Sequence, residues 1–128
     1  FDFELSISTP KGYEPSEFFI DNYKKNINFY SDPLMACENA DIIVTDVWTS
    51  MGQESEKKQR ELAFTGFQVD QNMMNQAKKD AIFMHCLPAY REKEVSSEVI
   101  DGNQSVVWNE AENRLHVQKS LLLYLIEN

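Results

Sequence analysis

The chain has 128 residues, the length of one domain where roughly 100–200 residues make a domain. It is 42% hydrophobic and 26% charged, the composition of a folded globular protein rather than a disordered one. A net charge of −9 would be repelled by a phosphate backbone, so nucleic acid is not an expected partner. The longest apolar run, Leu121 to Ile126, is far short of the ~18 residues a membrane span needs and reads as the core segment of a helix.

Four glycines, Gly12, Gly52, Gly66 and Gly102, stand too far apart for a dinucleotide fingerprint or a phosphate-binding loop. Two cysteines, Cys37 and Cys86, cannot build a zinc knuckle or a disulfide framework, so a reducing, cytoplasmic compartment is the default. Nothing spaces His and Cys as metal ligands, and no cofactor is implied. Phe1 is no initiator methionine, and the first residues enter a strand with no signal-like segment, so a piece of a larger protein is expected.

In chain order, Phe3, Leu5 and Ile7 alternate with polar residues, the pattern of a half-buried strand ended by Thr9-Pro10-Lys11-Gly12. Pro15-Ser16-Glu17 opens a helix whose apolar side is Phe18, Phe19 and Tyr23. A short strand at Ile27 to Tyr30 and a helical segment from Pro33 to about Glu38 follow. Ile42-Ile43-Val44 is the continuous apolar run of a strand buried on both faces. Helices are predicted from about Gln53 to Phe64, with Ser50 and Gln53 as a capping box, and from about Gln71 to Lys78. Ala81 to Met84 is a second buried strand, and a short helix closes at Val99-Ile100. Gln104 to Trp108 reads as a strand and Asn109 to Ile126 as the final helix, with Asn109 and Glu112 as its capping box. Strands and helices alternate throughout, so the fold class is α/β with a mainly parallel sheet flanked by helices, a three-layer Rossmann-like domain.

In open α/β sheets ligands bind beyond the carboxyl ends of the strands. Three such ends carry unusual polar groups: Thr9-Pro10-Lys11, Asp46 to Gly52, and His85-Cys86-Leu87-Pro88. Asp46 could receive a ligand ammonium or cap nearby backbone amides. Ser50 could be a structural N-cap, and the same helix N-terminus could meet a carboxylate, so the pair could grip both ends of a zwitterionic amino acid. His85 and Cys86 point to opposite faces of a strand, so His85 is a poor base for Cys86, whose plain reading is a buried structural cysteine. Arg114 reads most simply as a surface ion pair with Glu110, His116 as solvated, and Cys37 as packing.

Asp46-Val47-Trp48-Thr49-Ser50-Met51-Gly52-Gln53-Glu54, with Met84-His85-Cys86-Leu87-Pro88-Ala89 and Glu110-Ala111-Glu112-Asn113-Arg114, resembles the ornithine-binding half of the ornithine carbamoyltransferases. Thr9-Pro10-Lys11-Gly12-Tyr13-Glu14-Pro15 resembles the same family, and the likeness runs from Phe1 to Ile126. It implies transfer of a carbamoyl group from carbamoyl phosphate to the side-chain amine of L-ornithine, giving citrulline. Asp46, Ser50 and Met51 would then hold the α-amino and α-carboxylate groups. His85, Cys86 and Leu87 would lie at the substrate, Leu87 offering its backbone carbonyl and Cys86 orienting the amine without covalent chemistry. Arg114 would reach carbamoyl phosphate and stabilise the tetrahedral intermediate.

On this reading residues 1–128 are an ornithine-binding domain incomplete at its N-terminal side. The carbamoyl-phosphate domain, with its Ser-Thr-Arg-Thr-Arg and His-Pro-Thr-Gln motifs, is absent from the chain, so the chain alone should not turn over. The resemblance also implies a homotrimer for the complete enzyme, and an apolar face on the last helix, at Leu121, Leu122, Leu125 and Ile126, turned to the other half. Competing readings are a related transcarbamoylase acting on putrescine or an acylated ornithine, and a non-catalytic amino-acid-binding module. Aspartate is disfavoured because the aspartate enzymes resemble His-Pro-Leu-Pro at this place and lack Ser50-Met51-Gly52.

Overall fold

Among the described residues, short runs that alternate or concentrate apolar side chains become four strands joined by helical crossovers. The computed structural model describes residues 3–49, 52 and 54–128. Strand β1 (Leu5–Ser8) lies parallel to β2 (Ile27–Tyr30), and β3 (Ile42–Thr45) lies parallel to β4 (Ile82–His85). Parallel neighbours need a crossover of a dozen or more residues. Helix α1 (Glu17–Tyr23) supplies it for the first pair; α3 (Lys57–Ala63) and α4 (Gln71–Gln76) supply it for the second.

The α/β class with parallel strands is what the sequence predicts, with one difference. Instead of a single sheet, the described residues form two separate two-stranded sheets, β1–β2 and β3–β4. A cleft lined by Ser6 and Ser8 of β1 and by Ile42, Ile43, Val44 and Thr45 of β3 lies between them. The continuous apolar run of β3 is accordingly buried on one face only. Ile43 is in the core, while Ile42 and Val44 are 50% and 64% exposed.

Local chemistry sets the helix starts. Asp32 accepts the Leu34 N–H before α2 (Pro33–Cys37), where Pro33 has no N–H to satisfy. Asp70 accepts the Met73 N–H before α4, and Ser96 the Val99 N–H before α5 (Ser97–Ile100). The helix predicted from Gln53 starts as a single 3-10 turn, Glu54–Glu56, and becomes α3 only at Lys57. The capping box of Ser50 and Gln53 lies outside the described residues.

The last third departs most from expectation. No strand forms at Gln104 to Trp108: Ser105 makes one bridge to Phe83, through Phe83 N–H to Gln104 C=O and Val106 N–H to Phe83 C=O. Helix α6 (Val107–Glu127) then begins at once, after Val106. Asn109 is therefore inside the helix, and its capping box with Glu112 does not form. Docking of the 104–106 backbone on β4 decides the start, and it holds Val107 in the core.

That core is Cys37, Ile43, Val69, Met73, Met74, Phe83, Val95, Val99, Ile100 and Val107, packed between the β3–β4 pair and the helices beside it. Cys37 is a packing residue, as predicted. The apolar side of α1 (Phe18, Phe19, Tyr23) is exposed, its rings touching one another. Leu121 to Ile126 of α6 are exposed too and do not form a core segment. Among the described residues no helix is long and apolar enough to cross a membrane.

Candidate functional site

Strand register builds the site. Thr45 is paired with His85 at the carboxyl end of β3–β4, so the next residues, Asp46 and Cys86, leave the sheet side by side. Neighbouring strands are about 4.8 Å apart, within reach of two short side chains. The Cys86 thiol donates to Asp46 Oδ1 at 3.2 Å, and the same oxygen accepts the Val47 N–H at 2.7 Å. Asp46 thus does cap a backbone amide, while remaining exposed at the strand edge.

Partial desolvation, then the hydrogen bond and charge of Asp46, then the charge of Glu110 push the Cys86 thiol above its ordinary value. It is a protonated donor at neutral pH, not a thiolate nucleophile. Cys86 is exposed and His85 fully buried, so the opposite-face reading of these neighbours holds, and the expectation of a buried Cys86 does not.

His85 is 0% exposed and both ring nitrogens are used. Nδ1 accepts the Leu87 N–H at 2.9 Å, and Nε2 lies 3.2 Å from Glu94 Oε1. An accepting Nδ1 puts the ring proton on Nε2, which donates to Glu94. The ring has no atom left for a ligand, so a direct substrate contact by His85 gives way to a supporting one. Leu87, held by that ring, takes a left-handed backbone (φ +54°), and the Leu87–Pro88 peptide is cis.

Two further carboxylates complete the strand end: Glu94, which the sequence does not single out, and Glu110, which it reads only as an ion-pair partner of Arg114. Glu94 is 1% exposed and accepts the Tyr90 N–H at 2.6 Å as well as the His85 ring. Glu110, one turn into α6, accepts the His85 N–H at 3.0 Å. Glu94 lies in the charge run Arg91 to Glu94, where a carboxylate resembles any solvated one, and Glu110 is expected to pair with Arg114. No local signal marks either as buried or reaching.

Because Glu110 is spent on His85, the expected Arg114–Glu110 pair does not form. Arg114 stands exposed one turn further along α6, with no ion pair among the described residues. His116 pairs loosely with Glu112 at 3.6 Å and takes no part. Ser50 and Met51 lie outside the described residues.

An aromatic cluster ties the neighbouring loops together. Phe64, at the end of α3, packs on Tyr13 from the loop after β1 and on Trp48 from the loop after β3, with ring centroids 5.0 and 5.7 Å apart. Arg60 lies over the Tyr13 ring at 5.2 Å. A second cleft, about 470 Å³ and lined by Thr9, Pro10, Lys11 and Tyr30 among others, opens at the carboxyl end of β1–β2; neither Asp46 nor Cys86 lines it.

Ligand atoms of Asp46, His85 and Cys86 fall within 4.8 Å of one another, the one such trio among the described residues. Its ligand atoms are already engaged: the Cys86 thiol donates to Asp46, and the His85 ring holds Leu87 and Glu94 outside the trio. A metal would have to break each of those bonds, so the trio is a hydrogen-bonded strand end rather than a preformed metal centre.

Residues 1–125 match the family described as the aspartate/ornithine carbamoyltransferase Asp/Orn binding domain. Ornithine carbamoyltransferase of Ruthia magnifica subsp. Calyptogena magnifica is 56% identical over 126 residues, covering 98% of this chain and 42% of that protein. Among solved structures, anabolic ornithine carbamoyltransferase from Campylobacter jejuni matches with a TM-score of 0.90 at 41% identity, covering 98% of this chain and 44% of that one. The enzyme from Burkholderia thailandensis matches with a TM-score of 0.84 at 47% identity, covering 97% and 39%. The chain spans about two fifths of the length of these relatives.

Proposed function

The chain belongs to the aspartate/ornithine carbamoyltransferase family, and we propose that it is the amino-acid-binding half of an ornithine carbamoyltransferase. In that reaction the δ-amine nitrogen of L-ornithine forms a bond to the carbamoyl carbon of carbamoyl phosphate. The carbon–oxygen bond to phosphate breaks and the amine loses a proton, giving L-citrulline and phosphate.

The observation that carries the reading is the Asp46–Cys86 pair at one strand edge, a carboxylate and a protonated thiol 3.2 Å apart. An exposed carboxylate there suits the ammonium of an amino acid, and a neutral thiol can orient an amine without competing as a nucleophile. Asp46, Ser50 and Met51 hold the α-amino and α-carboxylate groups. Cys86 and the Leu87 carbonyl face the reacting amine, with His85 supporting Leu87. The cation of Arg114 is free to meet carbamoyl phosphate and the developing oxyanion. The rest of the rate comes from holding the two substrates together, a task shared with a carbamoyl-phosphate domain outside these residues. The complete enzyme is a homotrimer on this reading. Two free thiols suit a reducing compartment, and the cytoplasm is the proposed location.

Steady-state kinetics on the full-length protein test the assignment. Asp46→Ala should raise the KM for ornithine with little change in that for carbamoyl phosphate. Arg114→Ala should lower kcat by roughly 100-fold, as loss of an oxyanion donor does. Unchanged constants in both variants would contradict the roles of Asp46 and Arg114.

A further inference from the structure

Glu94 is a carboxylate almost wholly removed from water, and no substrate role accounts for it. Burying a charge is costly unless it is hydrogen-bonded, so its partners indicate what it does. They are the Tyr90 N–H, at 2.6 Å, and the His85 ring, at 3.2 Å, both through Oε1. As an acceptor only, Glu94 draws the ring proton to Nε2. That leaves Nδ1 free to accept the Leu87 N–H at 2.9 Å. Leu87 has φ +54°, a conformation unfavourable for a residue with a side chain, and this hydrogen bond helps to hold it there.

We infer that Glu94 is a positioning residue, which fixes the His85 tautomer so that the ring locks Leu87 in its left-handed conformation and aims the Leu87 carbonyl at the reacting amine. The inference rests on the carbamoyl-transfer reading above and adds to it a group nine residues from His85 that touches no substrate. Glu94, His85 and Leu87 form one relay from the interior to the strand edge; neither Cys86 nor Asp46 is part of it.

The full-length protein carries the test. An asparagine places its side-chain oxygen where His85 has Nδ1, and a glutamine places its amide nitrogen near Nε2. His85→Asn therefore keeps the bond to Leu87 and loses Glu94, whereas His85→Gln keeps Glu94 and loses Leu87. The expected order of kcat is wild type, then His85→Asn, then His85→Gln, the last down roughly 100-fold, as misplacement of a reacting group costs. A role in filling space predicts the reverse, since asparagine leaves the larger hole. The reverse order, or equal losses, would overturn the inference.

Glu94→Met should also lower kcat with the KM for carbamoyl phosphate unchanged, and Glu94→Gln, which keeps an acceptor at Oε1, should recover most of it. Nitrogen NMR of the wild-type protein should show the His85 ring proton on Nε2 and none on Nδ1; a proton on Nδ1 would overturn the inference without reference to activity. Absence of citrulline from the wild type would instead remove the reaction, and with it the role of Glu94 in catalysis, while the NMR result still decides the tautomer.

Discussion

Asp46 and Cys86 share a hydrogen bond whose direction matters for chemistry. The carboxylate accepts from a thiol that it also keeps protonated, because its charge and its acceptor both disfavour the thiolate. Removing the carboxylate should therefore make the thiol more acidic. In Asp46→Ala, the pH midpoint for alkylation of Cys86 by iodoacetamide should fall relative to wild type, with Cys37 buried and slow in both. An unchanged midpoint would contradict the account of this pair. The same sign applies to stability: a thiol raised in the folded state favours folding below its ordinary value and loses that contribution as pH rises through the raised one. Asp46 and Cys86 are legible from the sequence as positions at the ends of two apolar strand runs. Glu94 is not, because a carboxylate in a charge run looks the same whether it faces water or reaches across the fold; Glu110 is read as the partner of Arg114, and the backbone N–H it accepts instead leaves no mark in the sequence.

Elements followed the sequence wherever a side chain or a turn former set the boundary, and departed where backbone docking set it. Asp32, Asp70 and Ser96 cap their helices, and strands β2 and β3 sit where their apolar runs predict. Asn109 and Glu112 have the right spacing for a capping box, yet the bridge from Ser105 to Phe83 starts α6 two residues earlier. That shift has a consequence for the site, since it is the first turn of α6 that brings Glu110 to the His85 N–H. The contrast is measurable by chemical denaturation. Asp70→Ala should cost about 1 kcal/mol, the usual loss for an N-cap. Asn109→Ala should cost nothing and should stabilise slightly, alanine being the better residue inside a helix. An equal loss in both would restore the capping role to Asn109.

At the scale of the molecule, the residues described form two parallel strand pairs with an open cleft between them, and exposed apolar faces on α1 and α6. The net charge of −9 fits an amino-acid-binding half better than a complete site for a phosphate-bearing substrate, and Arg60, Lys78 and Arg91 are already held in ion pairs. The relatives, of which this chain spans about two fifths, are named for ornithine carbamoyl transfer. One assay decides whether that transfer is what the protein does: carbamoyl transfer from carbamoyl phosphate by the full-length protein, with L-ornithine, putrescine and L-aspartate offered in parallel and the carbamoylated product of each measured. Turnover is expected with ornithine and little with the other two, since the contact proposed for Asp46 needs an α-ammonium, which putrescine lacks, and aspartate has no side-chain amine to take the carbamoyl group. Preference for putrescine or aspartate, or no transfer to any of the three, would contradict that expectation.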